Sequence, residues 1–212
     1  MSTAPFSPAL KTRPLRCALA AAVLLAAAGC SIVPEARTDP MKFYVLATAA
    51  AGAAPAAGAP AVQLREVELA SYLRSRPMVV RRGTNEVEFR EFARWGEPLE
   101  AGVARVLREE LLARGAASAV LTAGSRRESA KIDATLTVRV LACEGEAGGA
   151  VAFRAVWELT PALPESKVPA ARGDFQATDL RWDGKSEAAL AAQLSQAVAA
   201  LAAQIATELG KK

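Results

Sequence analysis

The 212 residues contain no histidine. That absence excludes His-based catalytic triads, imidazole general bases and imidazole metal ligands together. Cysteine is nearly as scarce: Cys17, Cys30 and Cys143 are the only three, and no two stand at a metal-binding spacing. Aromatic residues make up 5% of the chain while hydrophobic residues make up 52%, so any core has to be built from Ala, Val and Leu. No Gly-rich phosphate loop and no nucleophile elbow occurs. Glu109 and Glu110 are adjacent, so on a helix they cannot face one another; they read as solvated positions rather than an acid–base pair.

What is present begins with a tripartite leader. A basic stretch (Lys11, Arg13, Arg16) precedes an apolar run from Ala18 to Ala28, which ends in Ala27-Ala28-Gly29-Cys30. The run falls short of the ~20 residues needed to cross a hydrocarbon core and has the proportions of a signal-peptide core. Its end resembles a bacterial lipobox, with Ala27 where Leu is usual and Leu24-Leu25 just upstream. The resemblance implies that residues 1–29 are a lipoprotein signal peptide. It also implies that Cys30 carries S-diacylglycerol and an N-acyl chain, which together anchor the protein stably. Cys143 is then the one remaining thiol and no intramolecular disulfide can form. An ordinary secretory signal with a chance cysteine and a buried N-terminal helix are the alternatives. By the same resemblance, Ser31 after the cysteine, where Asp would mark inner-membrane retention, implies the outer membrane facing the periplasm.

Cleavage before Cys30 also changes the charge. The formal +4 arises largely from the three leader cations; without them 23 of the 26 basic residues stand against 22 acidic ones. A near-neutral chain has no electrostatic footprint for nucleic acid.

Residues 30–40, with Pro34 and Pro40, read as an acylated N-terminus and tether, and residues 41–212 as one folded domain. Met41 to Leu46 reads as a strand. Ala47 to Ala61 reads as an Ala/Gly/Pro loop, and Val62 to Leu69 as a strand whose phase slip suggests a bulge or a change of burial. A helical turn over Ala70 to Ser75 leads to two strands, Met78 to Arg81 and Val87 to Phe92, around Gly83-Thr84-Asn85. Glu97 to Arg114 has apolar residues at helical spacing (Leu99, Val103, Val106, Leu107, Leu111), with Pro98 at the first helical position and Gly96 or Glu97 as cap. Ile132 to Ala142 and Val151 to Thr160 alternate strictly and predict an antiparallel hairpin with one buried face, turning over Glu144 to Gly149. Gly173 to Trp182 offers a further strand with Phe175, Ala177 and Leu180 inward. Ser186 to Leu209 predicts the longest helix, its stripe of Leu190, Leu194, Val198, Leu201 and Ile205 reading as core. The class is α/β (α+β): one mixed, largely antiparallel sheet with two main amphipathic helices packed on it.

An ordered set of segments carries a further likeness. It runs Phe43-Tyr44-Val45-Leu46, Val67-Glu68-Leu69, Tyr72-Leu73, Arg76-Pro77-Met78-Val79-Val80-Arg81 and Phe92-Ala93-Arg94-Trp95-Gly96-Glu97-Pro98-Leu99. In this order they resemble the ABC-type transport auxiliary lipoproteins (the PqiC/YmbA-like family), with Ala70-Ser71 in place of the usual Pro before Tyr72. The resemblance implies a non-catalytic envelope lipoprotein, with no cofactor beyond the lipid on Cys30. Its implied partners are the membrane, an MCE-type periplasmic protein and the permease and ATPase of an ABC transporter for lipids or other hydrophobic molecules; self-association into a homo-oligomer fits as well. Tyr72, Arg76, Arg94 and Trp95 are the candidate partner-binding residues, each with a plainer reading as local packing. Cys143 reads as a small apolar filler. The rival readings are a structural lipoprotein of envelope assembly and a lipid-binding carrier.

Overall fold

The computed structural model describes residues 39–48, 52, 54–122 and 131–211. Alternation decides its centre. Ala134, Leu136, Val138 and Val140 are buried, and so are Val151, Phe153, Ala155, Trp157 and Leu159. These rows form the inward faces of two long antiparallel strands, β7 (Ala134–Glu146) and β8 (Val151–Pro161). A bulge at Leu141 shifts the register between Val140 and Ala142. The bulged strand continues to Glu146, beyond the expected end of the hairpin arm, so the turn occupies 147–149 instead of beginning at Glu144. On its far side β8 pairs antiparallel with β9 (Ala171–Gln176).

The other edge of β7 is shared by three short parallel partners in succession. β2 (Ala61–Leu64) pairs at its start, β3 (Glu68–Leu69) in its middle and β4 (Pro77–Gly83) at its end. The expected single strand over 62–69 is therefore two strands separated by a break, each following a different part of β7. The sheet then divides. β2 continues to β6 (Ala119–Leu121), which the sequence pattern did not reveal; β4 continues to β5 (Glu86–Trp95) and then β1 (Lys42–Tyr44). Nine strands stand in this mixed sheet among the described residues, and its three long pairings are antiparallel.

Two helices cover one face: α1 (Leu99–Ala113) packs on β6, and α2 (Glu187–Leu209) on β7, β8 and β1, while the helices pack on one another. α2 starts where Ser186 accepts a hydrogen bond from the Ala189 N–H, a side-chain cap that satisfies one of the helix's orphan donors. Its mean hydropathy of 1.4 and 23 residues would suit a membrane span. Leu190, Leu194, Val198, Leu201 and Ile205 are instead buried in the domain core, as the stripe predicts. α1 departs from expectation at its start. It begins at Leu99, and Pro98 is the cap residue with an extended ψ of 131° and no side-chain cap bond. The Glu97 carboxylate is engaged by Arg105 instead. Glu110 was read as solvated and is 1% exposed, because it accepts from Thr48 Oγ1 (2.6 Å) and from Arg114 Nη2 (3.1 Å). Phe175, Ala177 and Leu180 only half-enter the core, and Trp182 is the buried aromatic of that segment.

Trp182 lies flat against β7 at Gly145, donating Nε1 to the Glu146 carbonyl at 3.2 Å. A Cβ at Gly145 would stand 2.7 Å from both Cε2 and Cζ2 of the indole, far inside contact distance. Gly145→Ala is therefore expected to displace the ring and lower stability by about 1–3 kcal/mol. Thermal unfolding followed by tryptophan emission reads both effects, and an unchanged Tm with native emission would show that the ring moves aside freely.

Candidate docking surface

The proposed lipid attachment site, Cys30, and the leader lie outside the described residues. The chain that follows the tether is well fixed, however. Beyond β1, Leu46 is buried and its carbonyl accepts from Arg105 Nη2 at 2.7 Å. The Ala47 N–H donates to Ser195 Oγ on α2 at 3.0 Å, and Thr48 Oγ1 donates to Glu110 on α1. Three successive residues are thus tied to both helices. Tension arriving along the tether would meet polar ties in a partly desolvated environment, where each is stronger than in water.

The pairing of β4 with β5 brings three of the four sequence candidates together. Pro77 stands opposite Arg94, and the Trp95 N–H donates to the Arg76 carbonyl at 2.8 Å. Arg76 is exposed and Arg94 half-buried. Trp95 is 4% exposed and belongs to the core, which leaves it no surface to offer a partner. Arg94 makes no ion pair among the described residues, and its Nε is buried without an acceptor. On the other side of β5, Phe43 stands in register with Arg94. Phe43, Val45 and Phe92 are 62%, 54% and 50% exposed. The sequence pattern places these three in strands and in the family likeness, not among the candidate partner-binding residues. The signal lies in β5 itself, where Phe92 and Arg94 occupy the phase opposite buried Ala93 and Trp95.

The fourth candidate, Tyr72, lies on a 3₁₀ turn (Ser71–Arg74) and joins a different group. Its hydroxyl donates to the Leu141 carbonyl at 3.4 Å, and the Arg81 guanidinium sits 6.0 Å from its ring centroid. Arg81 in turn donates Nε to Glu144, a carboxylate 1% exposed on β7. Bonding to Glu144 holds Arg81 firmly charged. Burial first, and the neighbouring carboxylate second, push the Tyr72 phenol up to about 12. Tyr44, inward on β1, is raised as well, by burial and then by Glu187. These are the only two tyrosines. A phenol whose folded value is raised contributes stability that is complete below the unfolded value near 10 and is lost as pH rises through the folded value. Phenolate absorbance of the native protein is therefore expected to lag at pH 10, with Tyr72 ionising only near 12, whereas the unfolded chain titrates both near 10. A native titration centred at 10 would contradict the packing of both rings.

No three His, Cys, Asp or Glu side chains among the described residues converge as a metal would require. Cys143 is fully enclosed, and burial raises its thiol far above the range in which a thiolate forms. An open cleft of about 740 Å³ lies where the C-terminal ends of the helices meet the loops around Pro60 and Leu163; Lys131, Lys167 and Lys211 are among the residues lining it.

Comparison with known proteins adds an independent line. The family model for the ABC-type transport auxiliary lipoprotein component matches residues 44–206. No curated protein matches the chain. Among solved structures, the crystal structure of an uncharacterized protein superposes with a TM-score of 0.57 at 18% identity, covering 80% of this chain and 99% of that one. A protein from Xanthomonas campestris of the DUF330 family superposes with a TM-score of 0.58 at 17% identity, covering 78% of this chain and 92% of that one. At such identities the likeness establishes a shared fold.

Proposed function

The chain belongs to the family of ABC-type transport auxiliary lipoprotein components, and from that premise we propose that it is a non-catalytic accessory, held at the envelope by lipid on Cys30, whose folded part docks other proteins of a transporter. The observation that carries this is the extent of the family match. It runs from the last residue of β1 into the final turn of α2, so it spans the elements that build the core. The tripartite leader ending at Cys30 supports the anchor, and the ties from Leu46, Ala47 and Thr48 to both helices suit a domain held by its N-terminus.

In its finer form the proposal places the protein at the outer membrane, facing the periplasm. Its partners there are an MCE-type periplasmic protein and the permease and ATPase of an ABC system that moves lipids or other hydrophobic molecules. Exposed Arg76, with half-buried Tyr72 nearby in sequence, is where contact with these partners is made. Two measurements test the two halves. Mass spectrometry of the mature N-terminus should find Cys30 first and acylated; an unmodified thiol, or a different first residue, defeats the anchor. Affinity purification from gently solubilised membranes should recover the transporter subunits, and repeated recovery of none of them defeats the docking role.

One observation favours a second reading, a lipid carrier. The 740 Å³ cleft combines Ile132, Leu163, Val168 and Leu209 with three lysines (Lys131, Lys167, Lys211) and two carboxylates (Asp133, Glu165), an apolar lining with polar groups that suits an amphipathic ligand. Lipid extracted in stoichiometric amount with the purified, unacylated protein would favour that reading over docking alone.

A further inference from the structure

We propose that the outward patch formed by Phe43, Val45, Phe92 and Arg94 rests directly on the lipid surface to which the protein is anchored, with the Arg94 guanidinium on headgroup phosphate and the two phenyl rings at the headgroup–acyl boundary. The inference rests on the reading that Cys30 is acylated, and deepens it by naming the face that the anchor turns toward the membrane.

Three observations carry it. The first is register. Phe43 on β1, Arg94 on β5 and Pro77 on β4 are consecutive partners across three strands, so their side chains share one side of the sheet. Phe92 lies two residues before Arg94 on that side. Val45 lies two after Phe43, with its Cγ1 3.3 Å from the position a Cβ would take on Gly96. Exposed rings beside a cation make an amphipathic cluster of the kind that settles at membrane interfaces.

Charge is the second. Arg94 has no ion pair among the described residues and its Nε has no acceptor. Three of the neighbouring acids are engaged elsewhere, Glu97 with Arg105, Glu187 with Arg90, and Glu88 with Arg82 and Arg90, while Glu91 beside Phe92 is exposed and pairs with no cation among the described residues, Arg94 included. An arginine left without a carboxylate among apolar side chains is complementary to an anion brought from outside, and phosphate is the partner its fork geometry matches.

Tether length is the third. Twelve residues lie between Cys30 and Phe43. Fully extended, that length of chain reaches at most ~45 Å. A domain of this size has a radius of gyration of about 16 Å, and hence a width near 40 Å. Even at full stretch the connection barely exceeds the width of the domain. Surface beside β1 therefore meets the bilayer far more often than surface at β9, on the opposite edge of the sheet. Tethering also raises the local lipid concentration so far that a weak contact is enough to orient the domain.

The test uses the mature, acylated protein on vesicles of phosphatidylethanolamine and phosphatidylglycerol. Cys143 is fully buried, so a cysteine introduced by Phe92→Cys can be labelled selectively with a polarity-sensitive fluorophore; Arg172→Cys, exposed on β9, serves as the control position. The label at 92 is expected to emit at shorter wavelength on vesicles and to be quenched by bromine-labelled lipid, while the label at 172 reports water. Adding Arg94→Glu should abolish the shift at 92 without releasing the protein from the vesicles. A label at 92 that reports water on vesicles overturns the inference. So does a shift that appears only when transporter subunits are added, since the occupant would then be a protein. If the protein does not stay with the vesicles at all, the anchor at Cys30 has failed first, an outcome distinct from failure of the patch.

Discussion

Phe153→Ala is expected to lower the unfolding free energy by about 3–5 kcal/mol, the range for emptying a fully buried aromatic site. Phe153 is the largest of the fully buried side chains among the described residues and stands on β8 opposite Cys143, near the turn end of the longest strand pairing. Its ring meets Phe175 of β9 edge to face, with centroids 6.0 Å apart and planes inclined at 66°. Two losses therefore combine. The ring's own burial is forfeited, and half-buried Phe175 loses the partner that fixes it, which loosens the outer edge of the sheet. Because β7, β8 and β9 are joined along most of their lengths, the layer cannot collapse into the void without breaking register. Urea unfolding reads the free energy directly, and thermal unfolding should show a fall in Tm of about 2–4 °C for each kcal/mol. Phe89→Ala supplies the contrast: Phe89 is 45% exposed, and its replacement should shift stability by no more than about 0.5 kcal/mol. Equal losses at the two positions would mean that the layer between sheet and helices is not closely packed.

The parts of this fold that were legible in the sequence are those whose pattern is local and long. Eleven-residue alternation in β8 leaves one phase for the core, and an uninterrupted 3–4 stripe in α2 leaves one face. The parts that were not legible depend on partners distant in the chain. β6 has three residues and no pattern of its own; it is a strand because β2 runs beside it. The break between Leu64 and Glu68 looked like a bulge because alternation alone cannot reveal that β7 is long enough to take β2, β3 and β4 in turn. Glu110 and Glu144 look like any other helix or turn acid. They are buried because Thr48 and Arg81, 62 and 63 residues away in sequence, come to meet them. The candidate surface divides along the same line. Arg76 and Arg94 could be picked out as cations beside a strand, whereas the burial of Trp95 and the exposure of Phe43 and Val45 follow from β1 pairing in parallel with β5, a contact across some fifty residues.

That dependence on distant contacts makes Arg81 the most informative single position. Its guanidinium donates to Glu144 Oε1, while Oε2 has no partner among the described residues. Arg81→Ala leaves a carboxylate that is 1% exposed without compensation, and is expected to cost about 3 kcal/mol, at the low end for a broken buried pair because Arg81 itself retains some solvent contact. The cost should fall unevenly across the sheet. β4 meets β7 through only two registered pairs, Val80 with Gly145 and Arg81 with Glu146, so the ion pair reinforces a narrow seam between the central strands and the β4–β5–β1 wing. Amide exchange in Arg81→Ala should accelerate most in β1, β4 and β5 and least in the middle of β8. The wing's other attachments, Arg90 to Glu187 and the ties at Leu46 to Thr48, should keep it from detaching completely. Replacing both partners, Arg81→Met with Glu144→Leu, removes the stranded charge and should recover most of the lost stability, because an apolar pair of similar volume carries no desolvation penalty. A double-mutant cycle in urea separates the two explanations. If Arg81→Ala costs as little as a surface substitution, water reaches Glu144 and the seam is held by β-pairing alone. If the double replacement is no better than the single one, what Arg81 contributes is its stem against Tyr72 rather than its charge.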